Sequence, residues 1–189
     1  MSQTAERKTP GATRVVMTES VLPGDGNSLG TAFGGKIAQW IDVAAAIACQ
    51  RHCRRRVVTA SMDDLHYLLP IKVGMIVELR AQVNAVFRTS MEAGVRIESE
   101  DPRTGERKHV CSAFLTFVAQ DDNGRPVEVE PLELDNDEDR RRAQDAHERR
   151  QTRLQHARVR RERLLAEERA SPSTGGAGTA EHPAEQKQG

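Results

Sequence analysis

Residues 33–49, FGGKIAQWIDVAAAIAC, decide the fold. Ile37, Trp40, Ile41, Ala44, Ala45 and Ala48 recur at helical spacing in an alanine-rich run, which predicts a helix apolar almost all round. Such a helix must be buried by other elements. Upstream, Arg14–Leu22 (RVVMTESVL) is β-branched and ends at Pro-Gly-Asp-Gly, the pattern of a strand running into a turn. Downstream, after the basic turn Arg54-Arg55-Arg56, come four strand-like runs: Val57–Leu68, Met75–Phe87, Ser90–Glu100 and Lys108–Gln120. The third alternates, with Met91, Ala93, Val95 and Ile97 on one face and Glu92, Arg96 and Glu98 on the other. Short breakers between the runs favour antiparallel neighbours. The expected architecture is α+β: one curved antiparallel sheet, ending in a meander of four strands, wrapped around a central helix. A sheet edge and a helix flank would stay uncovered, and a homodimer would bury both.

The chain has 189 residues, with 28 Lys+Arg against 28 Asp+Glu and only 3% aromatic residues. Zero net charge argues against a surface built for nucleic acid or an acidic membrane, so no nucleic-acid partner is expected. No stretch reaches the length of a membrane span, the N-terminus has no apolar run, and three cysteines do not make a disulfide scaffold. The simplest placement is a soluble protein of a reducing cytoplasm. All six aromatic residues lie between Phe33 and Phe117, so the core belongs to the first part of the chain. From Glu133 the composition turns to Arg, Glu, Ala and Gln. Residues 135–169 start acidic and become arginine-rich, the order a helix dipole favours. The thin stripe of that helix, Ala143, Ala146, Leu154, Ala157 and Leu164, would line a neighbouring protomer or lie solvated. Residues 171–189 are low-complexity and are expected to be disordered.

Several residues bear on chemistry. Asp42 places a carboxylate among Ile, Val and Ala in the central helix, where it is either part of a reactive site or bonded to a neighbouring structural group. Residues 24–35 (GDGNSLGTAFGG) form a glycine-rich loop running into the helix N-terminus, a place suited to an oxyanion or phosphate, or simply a turn. No Gly-Lys-Ser/Thr follows, so the loop fails the phosphate-loop template. Arg88-Thr89-Ser90 joins two strands and is an anion-binding turn or merely a polar one. Cys49, His52 and Cys53 lack a second cluster to complete a metal set, and no Gly-x-Ser-x-Gly elbow is present.

Pro23–Asp42 (PGDGNSLGTAFGGKIAQWID), Val57–Asp63 (VVTASMD), Pro70–Gly74 (PIKVG), Arg88–Glu92 (RTSME) and Phe114–Ala119 (FLTFVA) together resemble the acyl-CoA thioesterases of the hot-dog fold, most closely the cytosolic acyl-CoA hydrolase type. The resemblance runs from about Arg14 to Pro131. It implies a hot-dog domain over residues 13–132, preceded by a flexible N-terminus (1–12) and followed by the charged helix (133–170) and the tail (171–189). It also implies an acyl-CoA substrate, with coenzyme A entering as part of that substrate rather than as a cofactor, and no metal. Asn27 and Asp42 would be the catalytic pair, meeting across a dimer interface with Asp42 as general base or nucleophile, and Gly35, with Gly34, would supply the backbone N–H that polarises the thioester carbonyl. Thr59, Arg88, Thr89 and Ser90 would join Gly34 in binding substrate and coenzyme A. Family members pair edge to edge as dimers and often assemble as trimers of dimers. Departures are Phe87, where the family would have glycine, Ala93, where it would have a larger apolar residue, and Met75, where it would have an acid. A non-catalytic module that binds acyl-CoA is the competing expectation.

Overall fold

The computed structural model describes residues 8–170; the expected disordered tail (171–189) and residues 1–7 of the expected flexible N-terminus lie outside the described residues. The elements are β1 (Val15–Ser20), α1 (Gly34–Cys53), β2 (Arg56–Met62), β3 (Ile76–Val86), β4 (Ser90–Glu100), β5 (Arg107–Gln120) and α2 (Asp137–Ala170). The five strands form one antiparallel sheet in the order β1-β3-β4-β5-β2. The meander therefore holds three strands, β3 to β5, rather than the expected four. The first of the four runs stops early: after Met62 the backbone N–H groups of Asp63 and Leu68 donate to β5 carbonyls, and residues 63–75 carry the chain across to β3. β2 is left as an edge strand beyond β5.

α1 lies against the sheet, burying Ile37, Trp40, Ile41, Ala44, Ala45, Ala48 and Cys49 against Leu79, Met91, Ile97, Leu115 and Phe117. Each large apolar side chain buried there contributes about 1.5–3 kcal/mol. The three alanines let the backbone of the helix approach the sheet closely. The far end of α1 is capped by Arg54 in the left-handed region (φ 51°), whose N–H donates to the Gln50 carbonyl. It is also tied to segments on either side of the sheet sequence: the His52 ring bonds the Glu130 carbonyl at 2.7 Å through Nε2, and Lys8 Nζ donates to the His52 carbonyl at 3.0 Å.

The outer face of the sheet has a second cover that the sequence did not announce. Asn136 caps α2, accepting from the Asp139 N–H at 2.9 Å and donating to the Asp139 carboxylate at 2.8 Å. The first turns of α2 then lie on β3 and β4: Ala146 is buried with Ala85 and Phe87, and the His147 ring meets Phe87 edge-on at 5.2 Å. So the start of the small-residue stripe lines the chain's own sheet, neither a neighbouring protomer nor solvent. Glu92 does sit on the outward face, as the alternation requires, yet it is fully buried. Arg149 reaches it at 2.6 Å and lies 3.7 Å from the Phe114 ring centroid. Beside it Asn84 occupies a bulge in β3, and its amide fills the space above Gly94, where a Cβ would come within 2.5 Å. Residues 150–170 form a separate helical unit with Leu154 and Leu164 about half exposed and an Arg158–Glu162 pair at 3.0 Å.

Arg149→Ala removes the cation that compensates a buried carboxylate and is expected to lower the unfolding free energy by about 3 kcal/mol in urea titrations. Replacing both Glu92 and Arg149 by leucine is expected to cost much less, because no charge is then left buried. Burial, outweighing the bond to Glu130, lowers the His52 pKa below its ordinary 6.5. The unfolded chain then takes up this proton first as pH falls. Stability from His52 is therefore complete above 6.5 and declines between 6.5 and the lowered folded value. His52→Asn is expected to flatten that part of a stability–pH curve.

Candidate active site

The loop before α1 is fastened at several points. Asp25 accepts from the Leu22 N–H at 3.1 Å and pairs with Lys36 of the first helical turn at 3.2 Å. The Phe33 N–H donates to the Asp25 carbonyl at 2.8 Å, and Ala32 to Ile71 at 2.7 Å. Gly30 has φ +71°, the left-handed conformation that glycine adopts without strain. Phe33 precedes the helix in an extended conformation, and no side chain caps the helix at that point. The Lys36 N–H turns back to the Phe33 carbonyl at 2.8 Å, and the Gly34 and Gly35 N–H groups lie at the positive end of the helix dipole.

Gly34 and Gly35 have ordinary helical dihedrals, so their backbone does not require glycine. A Cβ at Gly34 would make ordinary contact with the Tyr67 ring at 3.5 Å. One at Gly35 would press on the exposed Phe33 ring at 2.8 Å. What the two glycines provide is an absence of side chains at the start of the helix, where Gly35 is exposed. Beside them opens an apolar cleft of about 290 Å³, lined by Ala32, Gly34, Ile37, Tyr67, Leu68 and Ile71 among others. The Tyr67 hydroxyl donates to the Gly34 carbonyl oxygen at 2.8 Å.

Asp42 follows Gly35 by seven residues, which places it on the same helix face about 10 Å further along the axis. Its Cα–Cβ bond tilts back toward the glycines. The carboxylate is half-buried rather than enclosed, because the sheet covers only one side of α1 and leaves Gly35, Gln39 and Val43 exposed along the flank. The helix is thus not buried almost all round. Thr59, on the edge strand β2, donates its hydroxyl to Asp42 Oδ1 at 2.7 Å. The β2 register shifts between Thr59 and Ser61, a bulge that re-aims the side chains there. Thr59, expected among the substrate-binding residues, is placed as the partner of Asp42, so the structural bond and the open flank coexist in one carboxylate.

Asn27 is exposed and bonds within its own loop. Its Oδ1 accepts from the Leu29 N–H at 2.9 Å and the Thr31 N–H at 3.3 Å, and its Nδ2 donates to the Thr31 hydroxyl at 2.9 Å. Within one chain the structure does not join it to Asp42. The Arg88-Thr89-Ser90 turn is separate again. Its backbone is fixed, with the Ser90 carbonyl accepting from Phe87, the Thr89 carbonyl from Ala119 and the Arg88 carbonyl from Val129. The Arg88 side chain is 79% exposed and only 3.9 Å from Glu128. Phe87, in place of the expected glycine, is the knob on which α2 packs. Ala93 is fully buried and Met75 packs at the core edge. Cys49 and Cys111 are buried in the core, and burial pushes both thiols up, Cys111 to about 11. Among the described residues no three His, Cys, Asp or Glu side chains gather as metal ligands. Sequence patterns gave no sign of Tyr67; its place depends on residues 63–75 crossing the helix N-terminus.

The profile of the thioesterase superfamily matches residues 29–106. An uncharacterised acyl-CoA thioester hydrolase of Bacillus subtilis is 45% identical over 127 residues, 67% of this chain and 74% of that protein. Among solved structures, an apo-hexameric acyl-CoA thioesterase superposes with a TM-score of 0.76 at 39% identity, covering 79% of this chain and 96% of that one. The acyl-CoA hydrolase of Staphylococcus aureus, in complex with butyryl coenzyme A, coenzyme A and coenzyme A disulfide, gives 0.76 at 32% identity, covering 85% of this chain and 99% of that one. Structures of that enzyme also exist with an aspartate, an asparagine or a threonine replaced by alanine.

Gly35→Ala is expected to unfold within about 1 kcal/mol of the parent chain in thermal melts, since the exposed Phe33 ring can swing aside and alanine favours the helix. A larger loss would show that the backbone itself, and not access to it, requires the glycine.

Proposed function

Because the chain belongs to the thioesterase superfamily and within it to the acyl-CoA thioester hydrolases of hot-dog fold, we propose that it hydrolyses fatty acyl-CoA to free fatty acid and coenzyme A with Asp42 as general base. The observation that carries this is the alignment along one face of α1: an uncapped, glycine-opened N-terminus beside an apolar cleft, and a half-buried carboxylate two turns on, held by Thr59. Thr59 occupies Oδ1, which leaves Oδ2 to take a proton from water. The water attacks the thioester carbonyl, the Gly35 N–H stabilises the oxyanion, and collapse expels the coenzyme A thiolate, which takes up a proton. The apolar cleft receives the acyl chain or the pantetheine arm. The guanidinium of Arg88, with Thr89 and Ser90, meets the phosphates at the nucleotide end.

Asn27 completes the site from a second protomer. Support comes from its bonding within an exposed loop and from the apolar side chains left open around α1 and β2, namely Phe33, Val43 and Val58. An open β2 edge next to Asp42 suits edge-to-edge pairing. A homodimer is therefore the smallest active unit, and a hexamer built as a trimer of dimers is the proposed full assembly. In the S. aureus hydrolase the replaced asparagine lies fifteen residues before the replaced aspartate and the threonine seventeen after it. Asn27, Asp42 and Thr59 have the same spacing, which supports assigning all three to the site.

The test is thiol release from acyl-CoAs of increasing chain length. Asp42→Ala is expected to lower kcat by about a hundredfold or more with melting unchanged, and Asn27→Ala to do so without disturbing its own protomer's fold. Full turnover by a folded Asp42→Ala protein would sink the assignment. Mixing Asn27→Ala with Asp42→Ala protomers is expected to restore part of the activity, since mixed dimers contain one intact pair.

A further inference from the structure

We propose that Tyr67 is a positioning residue for the oxyanion donor, its hydroxyl holding the Gly34 carbonyl and through that peptide group orienting and strengthening the Gly35 N–H. This rests on the reading of the Gly35 N–H as the group that stabilises the oxyanion. The Gly34 carbonyl and the Gly35 N–H belong to one planar trans peptide unit and point in opposite directions, so fixing one end aims the other. A donor on the carbonyl oxygen also polarises the amide and makes its N–H a better donor.

The local structure gives this bond work to do. Two successive glycines have the widest conformational freedom of any dipeptide, and no side chain caps the helix before them. The Tyr67 hydroxyl is a tie from outside the helix, a second donor to a carbonyl that also opens the hydrogen-bond ladder of α1. Tyr67 supplies that tie from the sheet: the next residue, Leu68, donates its N–H to the Val110 carbonyl of β5 at 2.9 Å. The hydroxyl thus transmits the position of the sheet to the helix N-terminus. Its ring meanwhile lines the cleft. Burial raises the Tyr67 pKa above its ordinary 10, so the hydroxyl keeps its proton and remains a donor at neutral and mildly alkaline pH.

Tyr67→Phe keeps the ring and removes only the hydroxyl. Expected are a three- to tenfold fall in kcat for acyl-CoA, a KM within twofold of the parent and an unchanged melting temperature. A raised KM with kcat retained would overturn the proposal, because Tyr67 would then act only as cleft wall. The second measurement uses Asp42→Asn protein loaded with acyl-CoA carrying ¹³C at the thioester carbonyl, followed by difference infrared spectroscopy. The carbonyl band is expected below that of free acyl-CoA, and to move back toward it when Tyr67→Phe is added. Absence of any lowering in the Asp42→Asn protein removes the Gly35 reading and this inference with it. A lowered band that Tyr67→Phe leaves in place, with kcat retained, overturns the role of Tyr67 alone.

Discussion

A single sheet can cover one side of a helix but not both, and the rest of the molecule follows from that limit. Ala44, Ala45 and Ala48 bring α1 close enough to the sheet for Ile37 and Ile41 to be fully enclosed, and that packing uses the side of the helix facing β3, β4 and β5. The opposite flank, Gly35, Gln39, Asp42 and Val43, stays accessible because β2 is the last strand and, among the described residues, no strand pairs with its outer edge. A carboxylate in the packed half of α1 would be strongly disfavoured. On the flank it stays half-buried and accepts a hydroxyl from Thr59.

The same geometry holds the two ends of α1 by different means. The sheet and the anchors at the far end of α1, His52 to Glu130 and Lys8 to His52, fix the helix in position. The N-terminal end is held by groups that leave its N–H donors open: Asp25 and Lys36 on one side and Tyr67 on the other. Small side chains therefore serve two purposes along one helix. The alanines allow close packing, and the glycines allow close approach from outside.

On the other face of the sheet, α2 answers a different problem. An outward polar strand face normally stays in water, but here Glu92 and Asn84 are enclosed by the start of α2, and Arg149 supplies the compensating charge. Phe87 makes this possible by giving Ala146 and His147 an aromatic surface to pack on. Phe87 also leads directly into the Arg88-Thr89-Ser90 turn, whose backbone is fixed by the segment following β5. The departure from glycine at this position thus has a packing explanation.

Local pattern was enough for the elements themselves. Helical spacing in residues 37–48, alternation in β4 and the acidic-to-basic order of α2 each depend on neighbours in sequence, and each element formed where its pattern required. The glycine-rich loop and the lone Asp42 likewise stood out by residue type. Strand order did not follow, because pairing of β2 with β5 rather than β3 depends on how residues 63–75 cross the helix, and those residues carry no periodicity. Burial of Glu92 also escaped the sequence, since its alternation is correct and only a helix more than forty residues away decides what covers it. Tyr67 and Thr59 gained their places in the same way. A hydroxyl becomes part of a site through the partner that the fold brings within 3 Å of it, and only the tertiary structure sets that distance.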